Sequence, residues 1–318
     1  MKKLLILLSV CVLATALYAA GTTAKKAKTA ATPAKKSPVE MLIIESSEYP
    51  AGRQDAALTA GIAGFLDGEA KVKTMAYEEA IKDPKLANID YSFLPVYLVK
   101  KDPKWEEKFA QPLQAGYLQQ NDEYYIFLHQ TRTGVYQHKT ANPGVLEIFV
   151  MSQCPYGVMA EGLVMDAQKA GKIPEGATIR LRYIVSYDKT NDTFNSLHGS
   201  GEWEEDVRQL LIAKYYPEKF WKYLEIRNKD YRSSRWDKAM TEAGINVNKI
   251  MKKFDKEGIE LLKAEAAYTE EYGINASPSF LWEGKEALDF GSVSQKPGFG
   301  FLNPNQGRQG AAAPTGSC

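Results

Sequence analysis

Leu146-Glu-Ile-Phe-Val-Met-Ser-Gln-Cys-Pro-Tyr-Gly157 carries an apolar run directly into a cysteine and a proline. The run from Leu146 to Met151 has the length and bulk of a buried strand. Pro155 suits the first turn of a helix, where its missing N–H costs nothing. The stretch therefore predicts a strand, a sharp turn and a helix over 157–170, with Cys154 at the junction. A helix start presents unpaired N–H groups and the positive end of the dipole. Both stabilise a thiolate, the nucleophilic form of cysteine. Beside polar Ser152 and Gln153, Cys154 is expected to be an exposed, reactive thiol rather than an inert core residue.

Downstream, Thr178 to Val185 alternates like a strand. A long helical region is expected from about Glu202 to Tyr272, with segments at 203–215, 217–227, 232–242, 246–255 and 257–271. Gly273-Ile-Asn-Ala-Ser-Pro278 then leads into a strand, Ser279-Phe-Leu-Trp282. A proline is tolerated at the first position of a strand. Glu283-Gly-Lys285 reads as a tight turn, and Ala287 to Phe290 as a strand pairing back.

Three pieces together are similar to the thioredoxin superfamily, in its DsbA-like branch with a helical insertion. They are Phe149-Val-Met-Ser-Gln-Cys-Pro-Tyr-Gly157, Phe220-Trp-Lys-Tyr-Leu224 and Tyr272-Gly-Ile-Asn-Ala-Ser-Pro-Ser-Phe280, within about residues 146–290. The resemblance implies an α/β fold, a mixed central sheet flanked by helices, with an α-helical insertion. It implies that Cys154 is catalytic, supported by Pro155, Tyr156 and Gly157. It also implies a cis bond at Ser277–Pro278 packed against Cys154, with the Ser277 backbone offered to a substrate strand. An X–Pro bond has lost most of its trans preference, and main-chain pairing tolerates many sequences.

The family pattern is Cys-x-x-Cys, and here it is Cys154-Pro-Tyr-Gly157. Cys154 cannot close a disulfide within the motif. A thiolate can still form a mixed disulfide, which an outside thiol such as glutathione, as co-substrate, would release. Cys318 is a candidate resolving cysteine if the tail folds back, and intermolecular bonding through Cys318 is an equal alternative.

The first half repeats the order of elements. Val39 to Ile44 reads as a strand, Arg53 to Leu66 as a helix and Ala70 to Met75 as a strand. Glu78 to Leu86 reads as a short helix and Ser92 to Val99 as a proline-containing strand. Tyr117–Leu118 and Tyr124 to Leu128 read as a closing hairpin. Ser46-Ser-Glu-Tyr49 stands where the redox motif would be, and Phe93-Leu-Pro95 where the cis-proline would be. The expected architecture is two tandem thioredoxin-like domains: a degenerate one at 39–140 without cysteine and a DsbA-like one at 145–291. Polar residues 138–144 form the boundary.

Residues 1–20 have the parts of a secretory signal: Met1-Lys-Lys, an apolar run from Leu4 to Leu17, then Tyr18-Ala-Ala20. The run is shorter than the ~20 residues that span a bilayer. Residues 21–38, rich in Ala, Thr, Lys and Pro, read as a disordered linker, and 292–318 as a flexible tail. A periplasmic or secreted protein is expected. Cys11 would leave with the signal, so few cysteines remain and the core, not disulfides, must hold the fold.

The formal net charge of +1 argues against a nucleic-acid binder. The expected partners are protein or peptide thiols and disulfides, with no stable membrane insertion after cleavage. Three histidines and widely spaced cysteines give no metal-ligand spacing. His198 is a candidate modulator of Cys154 if folded near it, though such a loop histidine is more often structural. Trp203, Trp221 and Trp236 are expected in the insertion core, and Glu204-Glu205-Asp206 as an acidic first helical turn. The competing function is a non-catalytic thioredoxin-fold peptide-binding or chaperone-like protein with Cys154 as a relic.

Overall fold

The computed structural model describes residues 36–128 and 132–305. The chain divides into two compact units at His138–Lys139.

The first unit opens with β1 (Ser37–Glu45), α1 (Ala56–Phe65), β2 (Gly68–Ala76) and a short α2 (Tyr77–Ala80). Then come β3 (Phe93–Leu94), β4 (Val96–Lys100), α3 (Glu106–Gln114), β5 (Gln119–Gln120), β6 (Tyr124–Phe127) and β7 (Gly134–Tyr136). The main sheet has the order β2-β1-β4-β6-β5. β1 runs parallel to β2 and antiparallel to β4, and β4 is antiparallel to β6.

The apolar runs are continuous because both faces of this sheet are covered. Met41, Ile43, Tyr97, Val99, Tyr125 and Phe127 pack on one face with Ile62, Trp105 and Phe109. Ile44, Val96, Leu98 and Ile126 pack on the other with Leu86 and Tyr91. Asp55 caps α1, accepting from the Ala57 and Leu58 amides at 2.7 and 3.0 Å. Residues 103–114, given no element above, form a 3-10 turn and α3. Pro112 hides this helix from a sequence reading.

The second unit begins with β8 (Val145–Val150), α4 (Pro155–Lys169) and β9 (Thr178–Tyr183). A small hairpin, β10 (Ser186–Asp188) and β11 (Thr193–Asn195), precedes the insertion. The insertion holds α5 (Ser200–Tyr215), α6 (Pro217–Arg227), α7 (Trp236–Glu242) and α8 (Val247–Lys253). A π-helical turn, Phe254–Gly258, joins α8 to α9 (Ile259–Tyr272). The chain returns through β12 (Ser279–Trp282), β13 (Glu286–Leu288) and α10 (Phe290–Val293).

Here the strands lie in the order β13-β12-β8-β9, with β8 parallel to β9 and antiparallel to β12. This is the mixed sheet flanked by helices, with a helical insertion, that the sequence resemblance predicts. In both units the third strand of the pattern is entered through a cis proline, Leu94–Pro95 before β4 and Ser277–Pro278 before β12.

Three expectations change. The short helix expected from Glu78 to Leu86 is a single helical turn, Tyr77–Ala80, followed by turns. The segment from Ser292, expected to be flexible, is folded as far as Asn305. Val293, Phe299 and Leu302 are buried, and the Phe299 ring meets Trp282 edge-on at 5.1 Å. These widely spaced apolar residues give no periodic signal, so only tertiary packing orders them. Trp203, Trp221 and Trp236 are half-buried rather than central. Val207, Leu211, Ile212, Tyr223, Leu224 and Ile250 fill the insertion core instead. The expectations for residues 1–35 lie outside the described residues.

Candidate functional site

The β8–β12 register places Ser279 opposite Phe149. Pro278 therefore lies beside the end of β8, where the chain turns toward Cys154. Cys154 is the N-cap of α4 in an extended conformation, with Pro155 in the first helical turn. Its amide donates to Met151 O at 2.9 Å, and its carbonyl accepts from Val158 N at 3.0 Å. Across the turn, the Ser277 hydroxyl accepts from Met151 N at 3.0 Å, and Ser277 O lies 3.7 Å from Cys154 Sγ.

Cys154 is disulfide-bonded. Its sulfur has no hydrogen to donate, so the approach to Ser277 O is a packing contact. The chain's other cysteines, Cys11 and Cys318, both lie outside the described residues. Cys154 is 0% exposed, which corrects the expectation of an exposed thiol. The Ser277 carbonyl, 123 positions away in the chain, packs against the sulfur, which a linear reading does not reveal.

Gly157 stands three residues after Cys154, where the resemblance would lead one to expect a second cysteine. A Cβ there would lie 2.7 Å from Ser277 Oγ, 3.1 Å from Met151 O and 3.2 Å from Val150 Cβ. The Ser277 hydroxyl has taken the space a side chain would need. Pro155 and Tyr156 are half-buried beside it.

His198 is tied to this turn through a carboxylate that sequence reasoning missed. Glu202, fully buried in the first turn of α5, accepts from Gln153 N at 3.1 Å and from His198 N at 3.3 Å. Its Oε2 also lies 2.6 Å from His198 Nδ1. The Ser152 hydroxyl donates to Glu202 O at 3.2 Å. One side chain thus links the residue before Cys154 to the histidine. The only signal was an acid at the start of a helix, which more often faces water.

The acidic reading of 204–206 is also corrected. α5 starts at Ser200, so these residues fall beyond its first turn, and Glu205 and Asp206 are buried. Glu205 accepts from Arg208 Nε, Gln209 Nε2 and Tyr223 OH at 3.0, 3.1 and 2.7 Å. Both oxygens of Asp206 are sealed from solvent, close to Ser152. Burial pushes its pKa well above the carboxylate range. Glu202 and Glu205 add to this, and Ser152 opposes it. On α4, Glu161 is fully buried and its pKa is raised to about 7, mainly by desolvation, against a contact from Asn228 Nδ2 at 2.5 Å.

The structure thus brings together Cys154, Pro155, Tyr156, Gly157, Ser277 and Pro278, and joins His198 to them through Glu202. Cys318 lies outside the described residues. Among the described residues, no helix is long and apolar enough to cross a membrane.

No family model and no curated protein matches the chain. Solved structures match about half of it. DsbA from Klebsiella pneumoniae is 16% identical, covering 52% of this chain and 87% of that one, with a TM-score of 0.36. DsbA from Proteus mirabilis is 13% identical, covering 54% and 89%, with a TM-score of 0.38. BdbD from Bacillus subtilis is 15% identical, covering 50% and 86%, with a TM-score of 0.37.

Proposed function

We propose that this chain is an exported thiol–disulfide oxidoreductase acting through Cys154, in the periplasm or outside the cell. The observation that carries the reading is a disulfide-bonded cysteine at a helix N-terminus, held against the cis Ser277–Pro278 bond. The substrates are protein or peptide thiols and disulfides, docked as extended chain along the Ser277 backbone.

The exchange balances in two steps. The Cys154 thiolate attacks one sulfur of a substrate disulfide, forms a mixed disulfide and expels the other sulfur as thiolate. A second thiolate then attacks the mixed disulfide and returns Cys154 to its thiolate. Glutathione, as an external co-substrate, serves as that second thiolate. Cys318 is the internal alternative, because a disulfide at Cys154 needs a partner and the mature chain would carry only that other cysteine. Run in reverse, a substrate thiolate attacks the Cys154 disulfide and takes it over.

The test is thiol–disulfide exchange with a disulfide-bonded peptide, with and without glutathione. Cys154→Ser is expected to abolish exchange, and unchanged activity in that variant overturns the reading. If glutathione resolves the mixed disulfide, Cys318→Ser retains glutathione-dependent turnover. If Cys318 does, the variant accumulates the mixed disulfide, visible by intact mass.

The burial of Cys154 favours a second reading, a thioredoxin-fold peptide-binding or chaperone-like protein without turnover. Under it, peptide binding is the same with Cys154 blocked or free. The first unit repeats the strand order and cis proline of the second without any cysteine, and we read it as a degenerate copy of the same fold.

A further inference from the structure

The first unit has its own niche between a turn and a cis proline, and that niche is filled. β7 runs antiparallel to β3, with Phe93 opposite Tyr136 and Leu94 opposite Val135. Gln137 N donates to Ser92 O at 3.0 Å, which extends the pairing. Leu94 is the residue before cis Pro95. On the other side, the fully buried Val135 turns toward the Pro50–Gly52 turn that follows β1. Its Cγ2 lies 3.1 Å from where a Cβ at Gly52 would stand. Phe93 and Tyr136 pack edge-on, their ring centroids 4.8 Å apart.

The entry of β7 into this niche depends on a glycine. A Cβ at Gly134 would lie 2.2 Å from Phe93 Cζ and 2.4 Å from Leu94 O. In the second unit the corresponding dipeptide, Ala276–Ser277, has no strand paired to it among the described residues. Among the described residues, one copy of the arrangement is thus paired to a strand of the chain itself, and the other is not.

We propose that Gly134–Tyr136 is a built-in ligand of the first unit, filling a strand-binding groove that would otherwise take an extended polypeptide from outside. An uncovered strand edge offers a row of N–H and C=O groups to any extended chain. A tethered strand competes at an effective concentration in the millimolar range, so an external peptide of ordinary affinity is excluded. The occupant also reports what the groove selects: a glycine beside the Phe93 ring, a β-branched residue against the turn, and an aromatic residue opposite Phe93. The degenerate unit is then a closed scaffold rather than a second peptide site.

The test uses the full chain and a labelled peptide copying residues 132–138, Arg-Thr-Gly-Val-Tyr-Gln-His. Gly134→Val is expected to expel β7 and to bind the peptide at least tenfold more tightly than the wild type. Wild-type binding as tight as the variant's, or no binding by a variant that keeps its folded circular-dichroism spectrum, overturns the proposal. Val135→Ala is the milder variant if Gly134→Val does not fold. It is expected to speed hydrogen exchange at the Gln137 amide at least tenfold, and unchanged exchange there overturns the proposal. Neither readout involves Cys154, so the result is independent of the function proposed for that residue.

Discussion

Gly157 and Ser277 show how two residues 120 positions apart in the chain decide what one cysteine can do. Gly157→Ala would place its Cβ at 2.7 Å from the Ser277 hydroxyl. Overpacking of this kind costs about 1–3 kcal/mol. The Ser277→Ala background removes the clashing oxygen, so Gly157→Ala should cost measurably less there. A double-mutant cycle on urea midpoints checks the coupling. Equal costs in both backgrounds would show that Ser277 does not set the space at 157. The sequence made Cys154, Pro155 and Ser277–Pro278 legible because each has a local signature. It could not reveal that the serine hydroxyl fills the glycine's vacancy, since nothing in either segment points to the other. Glu202 was illegible for the same reason: an acid in a first helical turn usually faces solvent, and only the fold brings Gln153 and His198 to it.

At the scale of elements, periodicity located most of the sheet strands and the segments of the insertion to within a few residues. It failed where packing rather than pattern makes structure. Residues 292–305 are rich in glycine and proline, yet Val293, Phe299 and Leu302 are buried. The structure makes this segment part of the second unit's core. Leu302→Ala is therefore expected to destabilise the protein by about 2–5 kcal/mol, the usual range for a buried leucine. Thermal or urea unfolding measures it, and a change under 0.5 kcal/mol, the range of surface substitutions, would place Leu302 outside the core. The short strand β7 was missed because three residues carry no periodicity. α3 was missed because Pro112 reads as a breaker.

Across the whole molecule, the repeated order of strands was legible as a pattern, while the buried acids were not. The second unit encloses carboxylates whose pKa values burial raises. Glu161 rises to about 7, and Asp206 moves in the same direction. A carboxyl whose folded pKa lies above its unfolded value favours folding fully below the unfolded pKa. That contribution is lost as pH rises toward the folded pKa. For Glu161 the window runs from its ordinary value of 4.5 to about 7. The loss across it is about 3 kcal/mol. Unfolding free energy should thus fall between pH 4.5 and 7, and Glu161→Gln should flatten that fall and raise stability at pH 7.5. An unchanged slope in the variant would show that Glu161 ionises freely in the folded protein.

The packing of Gly157 against Ser277 has a consequence for changing the motif as well. Glycine and cysteine codons can be one base apart, so mutation readily offers a second cysteine at this position. Any such mutant meets the serine hydroxyl first, because every side chain there begins with the same Cβ. Clearing the way by losing the hydroxyl strips the Met151 amide of its acceptor. A second cysteine at position 157 therefore fits the turn only if position 277 changes with it, and that change in turn leaves the Met151 amide to be satisfied anew.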